Sequence, residues 1–320
     1  MVAGDRRPHG WSLSTGEFMT DVSETAPQVS GAGWQPEAPL NVARFGAAGA
    51  ELGGAVYVAG GWADVNFQTA LADAERLPPS QGGWQMLPPM PTARGNPAAA
   101  ALGGLFYMVG GYPPTGQAYA VVEVYDPAHN NWASATPLPS PLGSAGAAAH
   151  GDRLYVAGGD DGIGGAQHTM FSYNPQAQHW QQEPPMPTAR SLLKMIHLQD
   201  SIYAIGGVND NGEILRTVER YDPAHHQWQT VAEMTTGRGN PGVTAIGNQI
   251  VVVGGAGGTF GSPQPLNSSE VYDPQHDSWQ LLSAQLNPGR ASLTSASRPA
   301  RTILAIGGSG PTNRVDGLQV

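Results

Sequence analysis

Residues 105–132 read LFYMVGGYPPTGQAYAVVEVYDPAHNNW, and this segment decides the fold class. An apolar strand stops at Gly110-Gly111, a variable loop follows, and a second strand over 121–125 leads through an Asp-Pro turn to Trp132. The run of small residues from Asn96 to Leu102 supplies one more strand, and Trp132 opens a fourth. Short apolar runs separated by Gly, Pro, Asn and Asp are typical of antiparallel sheets.

The same unit recurs six times along the chain. Each tryptophan of the pattern is followed by a glycine pair, 26 residues later in five units and 28 residues later in the last. A repeat of about 50 residues is typical of propeller blades. The sequence therefore predicts an all-β, six-bladed β-propeller over residues 31–320. The tryptophans are Trp34, Trp84, Trp132, Trp180, Trp228 and Trp279, and the pairs start at Gly60, Gly110, Gly158, Gly206, Gly254 and Gly307.

These units resemble the kelch repeat family over roughly residues 33–320. The resemblance is carried by Tyr155-Val156-Ala157-Gly158-Gly159, Tyr221-Asp222-Pro223 and Met186-Pro187-Thr188-Ala189-Arg190. It implies a structural arginine in each blade. Unit three departs from the pattern with Leu142, and unit one has Leu77-Pro78 where Tyr-Asp is typical. The arginines are Arg44, Arg94, Arg190, Arg238 and Arg290.

The two ends of the repeat array are expected to meet in one blade. Trp34 has no Tyr-Asp-Pro strand before it, and Leu318-Gln319-Val320 aligns with Val122-Glu123-Val124 as a third strand. We therefore expect the segment around Trp34 to supply the missing fourth strand and to close the ring. Residues 1–30 fall outside the repeats and are expected to form a flexible lead-in.

Composition narrows the function classes. The chain carries 15 Lys and Arg against 25 Asp and Glu, a net charge of −10, which disfavours sequence-independent nucleic-acid binding. The absence of cysteine excludes disulfides, Cys-ligated zinc and thiol nucleophiles. No apolar run is long enough to cross a bilayer, so we expect no membrane insertion. A cytoplasmic monomer without a cofactor is the expectation.

The loops that follow the glycine pairs vary most between units and form a first candidate binding surface. Exposed aromatic side chains on such loops stack on sugars or grip peptides. The alternative is that they fold back over the strands beneath. The candidates are Trp62, Tyr112, Tyr119 and Phe260.

A second candidate set directly precedes the innermost strands. By resemblance, kelch proteins contact partners at this rim of the channel, where Asn and Ser hydrogen-bond a carboxylate or a sugar hydroxyl. Turn chemistry at the starts of strands explains the same residues equally well. Unit four has Leu192 at the corresponding place. The set is Asn96, Ser144, Asn240 and Ser292.

Lys194 is the only lysine of the chain, and it replaces small residues on the strand nearest the axis. Its roles as a catalytic base or nucleophile, as an anchor for an anionic ligand, and as a structural polar group all stay open. Counting back from the glycine pairs gives the counterparts Ala48, Ala98, Gly146, Gly242 and Ser295.

Further catalytic candidates come only from their position in the variable loops: His168, Asp160, Asp161, Glu213 and Arg216. The first three could also bind a metal ion, as could Glu213 with residues 209–211. Neither stretch has the spacing of an EF-hand, and ordinary loop polarity explains both, so we expect no metal site.

The sequence favours a kelch-type binding module that recognises a protein, a peptide or a glycan at one end of the channel. The alternative is a small enzyme of the sugar epimerase or mutarotase, lyase or cyclase type with its site at the channel mouth. The resemblance implies this alternative because some bacterial kelch propellers are such enzymes. Converging Arg, Glu or His side chains would favour the enzyme, and an aromatic-rich rim would favour the binding module.

Overall fold

The computed structural model describes residues 33–80, 82–259, 261–299 and 301–320, in which all regular structure is β-strand. It shows six antiparallel four-stranded blades, whose first strands contact one another around the axis. No helix that could span a bilayer is found in these residues. The prediction for residues 1–30 lies outside the described residues.

The first half of the chain forms a short edge strand and three blades. The edge strand is β1 (Gln35–Pro36). Blade 1 contains β2 (Ala48–Leu52), β3 (Ala55–Ala59), β4 (Ala74–Leu77) and β5 (Gln85–Leu87). Blade 2 contains β6 (Ala98–Leu102), β7 (Leu105–Val109), β8 (Val122–Asp126) and β9 (Asn131–Ser134). Blade 3 contains β10 (Gly146–His150), β11 (Arg153–Ala157), β12 (Met170–Asn174) and β13 (His179–Glu183).

The second half forms the remaining three blades. Blade 4 contains β14 (Lys194–Leu198), β15 (Ser201–Ile205), β16 (Val218–Asp222) and β17 (Gln227–Thr230). Blade 5 contains β18 (Gly242–Ile246), β19 (Gln249–Val253), a loop hairpin of β20 (Ala256–Thr259) and β21 (Ser262–Pro265), β22 (Ser269–Asp273) and β23 (Ser278–Leu281). Blade 6 contains β24 (Thr294–Arg298), β25 (Thr302–Ile306) and β26 (Val315–Gln319).

Blade 6 is completed from the other end of the chain, as the sequence predicts. Strand β1 pairs antiparallel with β26, with Gln35 opposite Gly317 and Pro36 opposite Asp316. The alignment of Leu318 with Val122 was wrong, because β26 begins at Val315 and its first residue takes that place. The loop after the last glycine pair is shorter than its counterpart in blade 2, so the strand begins earlier than the count suggests.

The hydrophobic core lies between neighbouring blades. Val58 of blade 1, for example, shares a buried cluster with Leu304 of blade 6. Inner strands of Ala and Gly let the blades approach near the axis, and Tyr-Trp pairs fill the wider outer gaps. Trp132 shows the outer arrangement: its ring lies 5.3 Å from that of Tyr125, and its Nε1 donates to the carbonyl of Pro88 in the preceding blade.

The arginines implied by the family resemblance are buried inside five blades. In each, one guanidinium pairs with a carboxylate on the third strand and also donates to the carbonyl of the first glycine of the pair. In blade 4, Arg190 lies 2.6 Å from the Glu219 carboxylate and 3.3 Å from the carbonyl of Gly206. Blade 3 holds Leu142 and Phe171 at the two positions. The pairs are Arg44–Glu75, Arg94–Glu123, Arg190–Glu219, Arg238–Glu270 and Arg290–Asp316.

Candidate functional site

A closed ring of main-chain hydrogen bonds encircles one end of the channel. Shortly before each inner strand, one residue donates its N–H to the carbonyl of its counterpart in the preceding blade, at 2.7–3.1 Å. The sixth bond, from Gly46 to Ser292, closes the circle at 2.8 Å. We call these six residues the channel ring. They are Gly46, Asn96, Ser144, Leu192, Asn240 and Ser292.

The backbone of the channel ring is left-handed throughout, with φ between +46° and +61°. Gly, Asn and, at some cost, Ser adopt this conformation, which explains the residue types at the ring positions. Asn96 turns its side-chain oxygen over Gly46, where a Cβ would lie 2.1 Å from it, and the side chains of Ser144 and Asn240 are buried. The predicted rim residues therefore hold the turn that makes the ring.

The variable loops rise from the same end of the propeller as the channel ring. The residue before five of the six ring members bridges to the residue after a glycine pair, as Gly95 does to Tyr112 and Gly143 to Asp160. Before the sixth, Ala291 donates its N–H to the Ser309 hydroxyl. We call these loops the crown. The crown consists of residues 62–72, 112–120, 160–168, 208–216, 256–267 and 309–314.

The predicted aromatic residues of the crown differ in exposure. Trp62 is only 3 % exposed, because its indole lies flat over Gly95 of the next blade, where a Cβ would meet the ring at 1.8 Å. The Tyr112 ring covers Gly143 in the same way and stays half-buried, as does Tyr119. Trp62 therefore has no free ring face for a ligand. Phe260 lies outside the described residues.

Hydrogen bonds tie the crown loops of blades 2, 3 and 4 together. The Tyr112 hydroxyl donates to the Asp160 carboxylate, and burial together with this carboxylate raises the pKa of Tyr112. The Ala118 N–H donates to the carbonyl of Asp161 at 3.0 Å, and the Ala166 N–H donates to the Asp210 carboxylate at 2.6 Å. These loops form one continuous, preorganised surface.

The predicted catalytic candidates of the crown all lie in the loops of blades 3 and 4. Asp161 caps its own loop by accepting the N–H groups of Ile163 and Gly164, and these bonds lower its pKa. Glu213 accepts the Asn209 side-chain amide, Arg216 pairs with the exposed Glu233 at 2.8 Å, and His168 is exposed. In the part of the chain that the structure describes, no three His, Asp or Glu side chains gather as a metal site.

Lys194 points to a different place, the central cavity. The inner strands enclose about 370 Å³, which Lys194 lines as a half-buried side chain. Burial lowers the pKa of Lys194 to about 8. By strand register its counterpart in blade 6 is Thr294, so the count that gave Ser295 was wrong. Three residues, 299–301, separate β24 from β25 where other blades have two.

Two functional candidates were missed in the sequence. They are Ile163, which is 71 % exposed, and Val65, which is 59 % exposed, both in crown loops. A usable signal was present, since each is a large apolar residue surrounded by Gly, Asp or Asn in a loop.

A six-bladed ring that gathers its variable loops at one end defines a β-propeller, a fold that serves as a binding or scaffold module. The chain belongs to the kelch repeat family. The family described as KLHDC2/KLHL20/DRC7 Kelch-repeats domain matches residues 46–255, and the Kelch motif matches residues 237–284. Among solved structures, that of YjhT is similar with a TM-score of 0.75 and 18 % identity, over 88 % of this chain and 96 % of that one. This likeness shows the fold alone. No curated protein matches the chain.

Proposed function

We propose that this kelch propeller is a non-catalytic module that holds a peptide segment of a partner protein on its crown. The observation that carries the proposal is the exposure of Val65, Phe67 and Ile163 in the crown loops of blades 1 and 3. Large apolar side chains on a preorganised surface gain free energy when a partner covers them.

The apolar side chains are supported from beneath. Phe67 packs edge-on against Trp62 and Phe45, with ring centroids 5.4 and 5.6 Å apart. The half-buried Tyr112 and Tyr119 lie on the crown loop of blade 2, between the crown loops of blades 1 and 3. Rigid aromatic anchors of this kind lose little side-chain entropy when a partner binds.

The charge of the crown favours a partner segment that carries Lys or Arg beside its apolar residues. The crown loops contain five carboxylates and two arginines. Both arginines are already paired, Arg216 with Glu233 at 2.8 Å and Arg314 with Asp316 at 2.7 Å. Complementary charge guides encounter and orientation more than it adds affinity.

The protein partners of the catalytic candidates support binding over the enzyme alternative. General acid–base chemistry requires groups within hydrogen-bond reach of one substrate atom. Asp161 is engaged in its own loop, and Arg216 pairs with Glu233, while Lys194 lies in the channel.

Substitutions that add charge to the apolar crown test the proposal. Ile163→Asp and Val65→Asp should each lower the affinity for an identified partner at least about tenfold. The reason is that a carboxylate in a covered apolar contact loses its hydration. Met86→Asp and Leu281→Asp are matched controls, since these side chains are 49 % and 52 % exposed on outer strands and lie outside the crown loops. All four proteins should melt within a few degrees of the parent.

The measurement is crosslinking capture from an extract of the native host, followed by calorimetry with the recovered partner. Capture of the same proteins by the crown variants and the parent would refute the proposal. Loss of binding in the Met86 or Leu281 controls would move the site to the outer strands and refute it too.

A further inference from the structure

The central cavity holds one ammonium group that has no ionic partner. Lys194 enters the cavity from the first position of β14, two residues after the channel ring. Its amine forms no ion pair or hydrogen bond with any residue in the described parts of the chain, and burial alone perturbs it. A half-buried ammonium that has no protein partner is free to pair with an anion that enters the channel from solution.

The cavity wall has a polar half and an apolar half. Around the first three positions of the inner strands, blades 1 to 3 contribute only Ala and Gly. Blades 4 to 6 contribute the apolar Met195, Ile196 and Val243 but also all the polar side chains there, namely Lys194, Thr244, Thr294 and Ser295. The Ser295 hydroxyl donates to the carbonyl of Leu304 at 2.7 Å. The two threonines line the same cavity as the amine and are the nearest source of hydroxyl donors on this side of the wall.

We propose that the channel binds a small organic monocarboxylate, with its carboxylate on Lys194 and its carbon skeleton against the Ala and Gly wall of blades 1 to 3.

Charge selects a monoanion over phosphate. One ammonium neutralises one carboxylate, whereas a phosphate dianion would retain excess negative charge in the cavity. The other ionisable groups that line the cavity are Glu51 and His197, three positions further along their strands. Three residues of strand span about 10 Å, so neither group adds positive charge at the Lys194 end.

The cavity volume limits the size of the ligand. A volume of about 370 Å³ lies near the lower end of the range for small-molecule pockets, roughly 300–1,000 Å³. It suits a compact acid better than an oligosaccharide or a peptide. The site is separate from the crown surface, so its test is independent of the proposed function.

Titration calorimetry with acetate, pyruvate and benzoate tests the site, with acetamide and benzamide as neutral counterparts and inorganic phosphate as the competing anion. We expect at least one carboxylate to bind, its amide not to bind, and Lys194→Met to weaken binding about tenfold or more. Lys194→Arg should retain part of the affinity. No heat with any carboxylate, equal binding by Lys194→Met, or tighter binding of phosphate would overturn the proposal.

The melting temperature separates a ligand site from a structural role. Without ligand, Lys194→Met should melt at or above the temperature of the parent, because the substitution removes an unpaired buried charge and keeps an unbranched side chain. A large fall in melting temperature would show that Lys194 stabilises the fold. It would overturn the assignment of Lys194 as a group that binds an anion from solution.

The single lysine also permits a direct spectroscopic test. Reductive methylation with ¹³C-formaldehyde labels only the Lys194 amine and the chain terminus, and Lys194→Arg identifies the terminal signal. His197 lies on β14 itself, His150 contacts it from the neighbouring strand β10, and Glu51 lines the same cavity, so the titration is recorded above pH 7, where histidines are ordinarily neutral. We expect a pKa near 8 that rises when the carboxylate saturates the site. A pKa that does not respond to the carboxylate would overturn the proposal.

Discussion

Blade 3 and blade 4 have the same backbone and opposite interiors. Blade 4 places the buried pair of Arg190 and Glu219 under its glycine turn, and blade 3 places Leu142 and Phe171 at the same two positions. In blade 4 the guanidinium also donates to the carbonyls of Gly206 and Thr217 at 3.3 and 2.9 Å. The difference teaches that the glycine turn folds without the guanidinium when the space is filled by apolar atoms.

The exchange of polarity in blade 3 extends to its outer strand. Glu183 is buried at a position where blades 1, 2, 4 and 5 have Leu87, Ala135, Val231 and Leu282. Its carboxylate accepts the Ser172 hydroxyl at 2.7 Å and the Tyr221 hydroxyl at 2.9 Å, and it lies 2.9 Å from His226 Nδ1. Blade 3 thus has its buried carboxylate at the contact with blade 4.

The largest expected effect comes from breaking the pair in blade 4. Arg190→Leu leaves the Glu219 carboxylate buried without its cation and should lower the free energy of unfolding by about 3–5 kcal/mol. Urea denaturation measures it. Arg216→Leu is the matched control, because its pair with Glu233 is exposed and should contribute about 1 kcal/mol or less. Equal effects of the two substitutions would contradict the importance of burial.

A smaller effect is expected when the blade 3 pair is transplanted whole. Arg190→Leu combined with Glu219→Phe should bring the free energy of unfolding back to within about 2 kcal/mol of the parent, because apolar replacement of a buried ion pair is often neutral. The readout is the same urea denaturation, analysed as a double-mutant cycle. A double variant as unstable as Arg190→Leu would show that the two interiors are not interchangeable.

The smallest effect concerns acid sensitivity at the contact between blades 3 and 4. Burial alone would raise the pKa of Glu183, but hydrogen bonds from Ser172, Tyr221 and His226 outweigh it and lower the pKa. A lowered pKa contributes stability above the ordinary value of 4.5, and this stability is lost as the pH falls through the lowered value.

Glu183→Gln should therefore lower stability at pH 7 by about 1–2 kcal/mol and flatten the fall below pH 4.5. Urea denaturation from pH 7 to pH 3 measures both, with the exposed Glu233→Gln as control. A parallel pH profile for Glu183→Gln and the parent would refute the role of Glu183 in acid sensitivity.

The fold was readable from the sequence because its signals are local and repeated. Trp132, Gly110-Gly111 and the Asp-Pro turn mark one blade, and the same spacing recurs around the ring. The predicted strand register was wrong only in blade 6. There the loop after the glycine pair is shorter, and the turn between the first two strands is longer, than in the other blades. The acidic partner of Arg290 is Asp316, whereas the other four arginines pair with Glu. Because Glu is absent, the sequence lacked the residue that would have identified the start of β26.

The candidate site was harder to predict from the sequence, because it depends on which crown side chains pack against the propeller and which stay exposed. Trp62 and Ile163 both lie in crown loops, yet Trp62 is covered by packing on a neighbouring blade and Ile163 stands in solvent. Contacts between blades are long-range, and one sequence does not reveal them. From the sequence, the polar side chains of Asn96 and Ser144 indicated a ligand site and a turn equally well. The left-handed backbone conformation of both residues accounts for the turn.

The circle of N–H to carbonyl bonds around the axis has a consequence for how this protein tolerates change. Side-chain identity is not what joins one blade to the next there, so Leu192 serves in the same capacity as Gly46. Proline alone among the amino acids has neither the N–H nor the accessible dihedral. A mutational scan at these six sites should therefore favour residues that tolerate a positive φ and should reject side chains at Gly46, where a Cβ would lie 2.1 Å from the Asn96 amide oxygen. Proline should be the least tolerated substitution at every site, because it would also remove the hydrogen bond to the preceding blade.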